Sequence, residues 1–200
     1  MSDDATGQEL RDRLSLIENM IAEGRRTTEC WGWIFVLWGV AYLIAIAWSA
    51  WDHSLLAWPV TMVAALTLTC VLASMKAGKQ PATTLGRAIG SIWIALAITM
   101  FLLFLALGTS GRLTDPRVLM SVASAILGMA NGASGLLLRW KAQAACAAVW
   151  WAAAVASCFG SVEQSTLVFA AATFLCQIVF GIGGMIGDAR ERKRRGAVNA

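Results

Sequence analysis

Six long stretches of the sequence contain no Asp, Glu, Lys, Arg or His. They cover residues 30–51, 54–75, 88–111, 118–138, 142–162 and 164–187. Each is long enough to cross a hydrocarbon core as a helix, because about 20 apolar residues span roughly 30 Å. Helices that cover a soluble core carry a polar face, which these stretches lack. We therefore predict an all-α membrane protein with six transmembrane helices.

The composition supports this class of protein. Hydrophobic residues make up 58% of the chain and charged residues only 14%, whereas about 25% of the residues of a soluble domain are charged. The stretches also lack the alternating polar and apolar pattern of a membrane β-barrel. Asp115 followed by Pro116 predicts a capped helix start before the fourth stretch.

The positions of the basic residues predict the orientation. Of the 16 Lys and Arg residues, only Arg112 and Arg117 lie on the side opposite the chain termini. In membrane proteins the excess of Lys and Arg lies in cytoplasmic loops. We therefore expect a multi-pass protein of the bacterial inner membrane, with the N- and C-termini in the cytoplasm.

The chain divides into three parts. Residues 1–29 are a cytoplasmic N-terminal segment with a short amphipathic helix, residues 30–187 are the six-helix transmembrane domain, and residues 188–200 are a cytoplasmic basic tail. Trp33, Trp93 and Trp150 each lie near the start of an outward-running helix, about 60 residues apart, which predicts three helical hairpins. The topology alone, without any shared motif, is similar to that of small six-helix bacterial proteins of acid resistance, and a stress-associated role is one expectation.

Glycines near the C-terminus, in the sequence GIGGMIG, superficially resemble a dinucleotide-binding loop. They lie at the C-terminal end of an apolar helix, where the helix dipole repels anions, so we reject that reading. Gly183 and Gly187 have GxxxG spacing, as do Gly128 and Gly132. This spacing predicts close contact between the fourth and sixth transmembrane helices or with a second subunit, unless the glycines merely face lipid.

The run of basic residues after these glycines predicts an anchor rather than a nucleic-acid site, because one short tail is too small a basic surface for nucleic acid. We expect it to bind anionic lipid headgroups, and a regulatory lipid switch is the second reading. The residues of this anchor are Arg190, Arg192, Lys193, Arg194 and Arg195.

Polar and aromatic residues inside the stretches are candidates for a site. Asn131 and Gln177 fall at similar depths and are predicted to hydrogen-bond to each other, and a polar lining for a pathway is the alternative. Four aromatic residues lie deep enough to form a pocket for an apolar ligand, or simply to pack. They are Trp38, Tyr42, Trp150 and Trp151.

A narrow apolar stripe marks the N-terminal segment. Leu10, Leu14, Ile17 and Ile21 recur at helical spacing among charged residues. The helix is expected to lie on the membrane surface, to pair with its copy in a homo-oligomer, or to dock a cytosolic or membrane protein partner. Attraction to the basic tail is a further alternative, because the N-terminal segment is acidic.

Residues that would support catalysis are missing from the middle of the stretches. No Asp, Glu, Lys or Arg lies there, and His53 is the single histidine. We therefore predict no catalytic site, metal or cofactor. The expected function is a non-enzymatic role in membrane packing, interaction or stress, and the alternative is a small transporter or channel for a neutral or apolar solute.

Overall fold

The computed structural model describes residues 2–52, 56–76, 84–110 and 115–198. These ranges are helical almost throughout and contain no strand. The helices are α1 (Ser2–Cys30), α2 (Gly32–Asp52), α3 (Ala57–Lys76), α4 (Thr84–Thr109), α5 (Pro116–Leu137), α6 (Lys141–Phe159), α7 (Val162–Thr173), a π-helical segment (Phe174–Val179) and α8 (Phe180–Val198).

Within the described residues, six helices are long and apolar enough to cross a membrane, which confirms the predicted all-α class of a multi-pass membrane protein. Five of them are α2 to α6, and the sixth is the continuous rod formed by α7, the π segment and the start of α8. The helix does not end where the basic tail begins at residue 188 but continues to Val198. Ala, Arg, Glu and Lys dominate this extension and are strong helix formers.

α5 and α6 make the most extensive contact between any two helices described. The pairs α2–α3, α4–α5 and α6–α7 also pack together, as three hairpins would. Because the tightest pair joins the second and third predicted hairpins, the three-hairpin arrangement stays an interpretation.

A tight turn brings α5 back as α6. The amide of Trp140 donates to the Gly135 carbonyl at 2.9 Å, and the amide of Arg139 donates to the Leu136 carbonyl at 3.2 Å. Arg139 lies in the left-handed region with φ 48°. This is the Schellman arrangement that ends many helices, although glycine is the usual residue at the left-handed position.

The first and last transmembrane helices also approach closely. A Cβ added at Gly181 would lie 2.7 Å from the Gly32 carbonyl oxygen, and one added at Gly39 would lie 2.8 Å from the Gln177 Cβ. These pairs run in opposite directions along the chain, so α2 and the last helix are antiparallel. Small residues therefore hold α2 against the rod that ends in α8.

The N-terminal helix docks at one end of this bundle. A Cβ at Gly24 of α1 would meet Leu85 at 2.6 Å and Leu138 at 2.8 Å. Leu85 lies near the start of α4 and Leu138 follows α5, so α1 covers the end of the bundle from which α8 also extends. We call it the terminal end.

The opposite end carries a small polar cluster at the start of α5. The Asp115 side chain caps α5 by accepting from the Arg117 amide at 2.9 Å, and Pro116 occupies the first turn, as the sequence predicts. The Arg117 guanidinium returns to the Asp115 carboxylate at 2.8 Å and to the Gly160 carbonyl oxygen at 3.4 Å. This cluster joins the start of α5 to the end of α6.

This cluster predicts that the stability of the bundle depends on pH. Hydrogen bonding from Arg117 lowers the pKa of Asp115 below its usual value. A group whose pKa is lower in the folded state stabilises the fold above its unfolded pKa, and this contribution is lost as the pH falls through the folded pKa. We expect the melting temperature in detergent to fall on acidification. In the Asp115→Asn variant, which can still cap α5, the melting temperature should fall less. An unchanged acid profile in the variant would contradict this role.

Candidate functional site

The apolar stripe of α1 is largely uncovered. Leu10, Leu14 and Ile17 are 62%, 53% and 53% exposed, and Ile21 is half-buried. The next position at the same spacing is Gly24, which is already packed against α4 and α5. One continuous stripe is thus covered by the protein's own bundle at its last position and open at its first three.

Charged side chains flank the open part of the stripe. Arg13 forms an exposed ion pair with Glu9 at 2.5 Å within α1. Arg13 lies beside Leu14 on one edge of the stripe, and Glu18 lies beside Ile17 on the other. The exposed Arg13–Glu9 pair contributes little to the stability of a single helix. Arg13 and the exposed Glu18 can therefore both contact a partner.

Asn131 and Gln177 do not form the predicted hydrogen bond. The Asn131 amide nitrogen donates to the Leu127 carbonyl of its own helix at 2.9 Å, and its oxygen has no partner. Gln177 is buried, and its Cβ lies against Gly39 of α2. The predicted bond is absent because the Asn131 amide bonds to its own helix, α5, while the Gln177 Cβ packs against α2.

Asn131 belongs to a larger set of buried side-chain atoms that have no hydrogen-bond partner. We call this set the polar ladder. It lies on three neighbouring helices, α5, α6 and α7, and comprises Ser124, Asn131, Ser134, Gln143, Trp150, Ser157 and Thr173. The Trp93 indole on α4 is a further unpartnered group but lies on a different helix. Buried polar atoms are usually satisfied, so a group of seven residues is unusual.

The pairing of the helices gives the depth of each member. Gly135 faces Ala144, and Ser121 faces Cys158. α5 and α6 are therefore antiparallel, and each residue later in α5 lies at the depth of one residue earlier in α6. The Ser165 hydroxyl donates to the Ser157 carbonyl at 3.2 Å, which sets α7 against α6 in the same manner.

By this pairing, Thr173, Trp150 and Asn131 lie at nearly the same depth. Ser134 and then Gln143 follow toward the terminal end. Ser124 and Ser157 lie nearer the opposite end.

Other hydroxyl groups in the chain behave differently. Thr67, Thr99 and Thr166 each donate at 2.8 Å to the carbonyl four residues before them. Thr61 does the same at 2.6 Å, although it is buried. This local bond is the ordinary way to satisfy a hydroxyl in a helix, and the four hydroxyls of the polar ladder do not make it.

A π-helical segment follows Thr173 directly. Residues Phe174–Val179 form it, and Cys176 and Gln177 are its buried members. The Cys176 thiol lies 3.6 Å from the Cys146 carbonyl of α6. π-Helical turns are rare and frequently occur at functional sites. The six residues of this segment, FLCQIV, include no proline or other signal that predicts a π-helix.

Three of the four aromatic residues expected to form a pocket lie together. The ring centroids of Trp38 and Tyr42 are 6.1 Å apart, and Phe169 lies 5.9 Å from Tyr42 and 5.6 Å from Trp150. Phe169, which the sequence reasoning did not single out, joins them. These rings contact one another, while Trp151 lies elsewhere and is 48% exposed.

Two of the four glycines assigned to helix packing lie against the Trp151 ring of α6. A Cβ at Gly132 would lie 2.9 Å from the Trp151 ring, and one at Gly128 would also collide with it. The neighbour is thus the fifth transmembrane helix, rather than the sixth or a second subunit. Gly183 has nothing within 4 Å, and Gly187 is half-buried. Gly135, which was not singled out, makes the closer backbone contact with α6.

The basic anchor lies on the helical extension of α8. Arg190 and Lys193 are exposed. The side chains of Arg192, Arg194 and Arg195 lie outside the described part of the structure, as does His53. Among the side chains that are described, no three His, Cys, Asp or Glu groups converge on a possible metal site.

Comparison with known proteins adds no assignment. No family model, curated protein or solved structure matches the chain.

The glycines provide a test of the α5–α6 contact. A Cβ at Gly135 would lie 2.8 Å from the Ala144 backbone nitrogen, which cannot move without shifting α6. We expect Gly135→Ala to destabilise the protein by about 1–3 kcal/mol, the usual cost of overpacking. Thermal unfolding in detergent would measure it, with Gly183→Ala as the matched control. Equal effects in the two variants would contradict the assigned contact.

Proposed function

We propose that this chain is a non-enzymatic multi-pass protein of the bacterial inner membrane that acts by protein–protein interaction, with α1 as its contact element and a second copy of the chain as its partner. The observation that carries this proposal is the open apolar stripe at Leu10, Leu14 and Ile17. Exposed apolar residues in a row on a helix otherwise rich in charge are typical of a helix that pairs.

The spacing of the stripe fits a coiled coil. Leu10, Leu14, Ile17 and Ile21 follow one another at intervals of four, three and four residues, which is the a/d pattern of two heptads. Leu14 and Ile21 occupy a positions, and Leu10 and Ile17 occupy d positions. A seam of this kind buries its side chains against the same positions of a second helix.

The flanking charges favour a parallel pair. Arg13 occupies a g position and Glu18 the following e position. In a parallel two-stranded coil these two positions face each other across the seam, so Arg13 of one copy meets Glu18 of the other. An antiparallel pair would place g positions against g positions and would lose this attraction.

The membrane favours the same arrangement. Two copies inserted in one orientation are related by a twofold axis along the membrane normal, and α1 helices that run along this axis pair in parallel. Two heptads alone form a marginal coil in water. Tethering both copies to one membrane raises their effective concentration and offsets this weakness.

The basic residues support the placement of α1 in the cytoplasm. α1 and the extension of α8 leave the bundle at the same terminal end, and Arg190 and Lys193 are exposed on that extension. Positive charge at this end favours the cytoplasmic side. Each basic residue near an anionic membrane surface contributes on the order of 1 kcal/mol to its attraction, so the extension fits the role of a headgroup anchor.

The seam is tested with a pair of neighbouring leucines. Leu14 and Leu16 are both exposed, but only Leu14 lies on the stripe. Leu14→Asp should abolish dimers and Leu16→Asp should leave them intact, as counted by single-molecule photobleaching of the full chain in liposomes. Because neither side chain is in the core, both variants should keep the melting temperature of the wild type.

Charge reversal tests the parallel register. Arg13→Glu and Glu18→Arg should each lower the dimer fraction, because each places like charges across the seam, and the double variant should restore it. If Leu14→Asp and Leu16→Asp act alike, or the double reversal fails to restore dimers, α1 serves another partner or lies on the membrane surface.

A further inference from the structure

The polar ladder presents an energetic problem that the interaction role of α1 does not address. Seven residues on α5, α6 and α7 bury side-chain polar atoms without a hydrogen-bond partner. Leaving such atoms dry in the middle of a membrane protein is unfavourable, because nothing replaces the hydrogen bonds they make with water. A bound molecule that hydrogen-bonds to them would remove this cost.

Five members of the ladder form a group in the half nearer the terminal end. They are Gln143, Ser134, Asn131, Thr173 and Trp150. Between Gln143 and Trp150 the helix rises about 10 Å at 1.5 Å per residue, and the other three fall between or beside them. The group therefore offers hydrogen-bonding atoms at close intervals along one seam.

The group combines donors with acceptors. The Trp150 indole can only donate, the Asn131 oxygen can only accept, and Gln143 has both its amide atoms without a partner. Hydroxyl groups at Ser134 and Thr173 can do either. A molecule that both donates and accepts hydrogen bonds can satisfy this set.

Apolar side chains close the group on the side away from the terminal end. Leu127 and Phe169 are buried at the next level, and Phe169 packs on Trp150 at 5.6 Å between centroids. In the described membrane-spanning helices, the Asp, Glu, Lys and Arg residues lie toward the helix ends. An ion would find no counter-charge here, so the ligand is uncharged.

We propose that the five-residue group binds small uncharged molecules that both donate and accept hydrogen bonds, of which water is the simplest. The π segment begins directly after Thr173, the α7 member of the group. The four hydroxyls of the ladder are not bonded to their own helix, which leaves those of Ser134 and Thr173 free to hold the ligand.

The sign of a stability change separates a filled site from a dry one. Thr173→Val and Ser134→Ala remove an unpartnered hydroxyl with little change of shape. If the site holds water, each variant loses hydrogen bonds and its melting temperature in lipid nanodiscs falls. If the site is dry, each variant removes an unsatisfied group and its melting temperature stays the same or rises, which would overturn the proposal.

Thr67→Val on α3 is the matched control. Thr67 is exposed and bonds to its own helix at 2.8 Å, so this variant reports the loss of a hydroxyl outside the ladder. The fall expected for Thr173→Val must exceed the change measured for Thr67→Val.

Water itself is the direct probe. The experiment is NMR on the full chain with ¹⁵N-labelled tryptophan in liposomes. Magnetisation transferred from water should reach the indole N–H of Trp150 as rapidly as it reaches the indole N–H of Trp51, which is 91% exposed. Trp150→Phe assigns the signal, and Asn131→Leu should slow the transfer. Slow transfer to Trp150 in the unmodified chain would overturn the proposal whatever the stability data show.

Discussion

The close antiparallel contact of α5 and α6 is the interaction on which the rest of the structure depends. Small residues let the two backbones approach until Gly135 lies against the Ala144 amide. In a membrane, where lipid is as apolar as the side chains, such close packing replaces hydrophobic burial as the force between helices. It also fixes the depth of Asn131 and Ser134 relative to Gln143 and Trp150, and so builds the polar ladder.

The class of the protein could be predicted because the length of an apolar helix is set by the bilayer and not by its neighbours. The start of α5 at Asp115 was also readable, since a helix cap is local chemistry. The neighbour of Gly128 and Gly132 was not readable. Every face of a transmembrane helix is apolar, so no pattern in the sequence shows which face meets Trp151 and which meets lipid.

The sequence also does not show which neighbours the buried polar groups face. Depth along a helix can be counted from the sequence, and it placed Asn131 and Gln177 near each other. Rotation about the helix axis cannot be counted in this way, and the π segment Phe174–Val179 alters that rotation. Gln177 therefore packs against α2, while Asn131 joins Ser134 and Thr173 in a set that only the packed structure reveals.

The N-terminal helix links the bundle to the proposed partner. Gly24 of α1 packs against Leu138 at the end of α5. The open apolar stripe therefore lies on the same face of α1 that contacts the bundle. Pulsed EPR between nitroxide labels at residue 19, in a chain whose native cysteines are replaced, tests the central claim of a parallel pair. A parallel pair gives one narrow intermolecular distance, about the width of a two-helix coil. A signal from isolated copies alone, or a broad spread of distances, would contradict it.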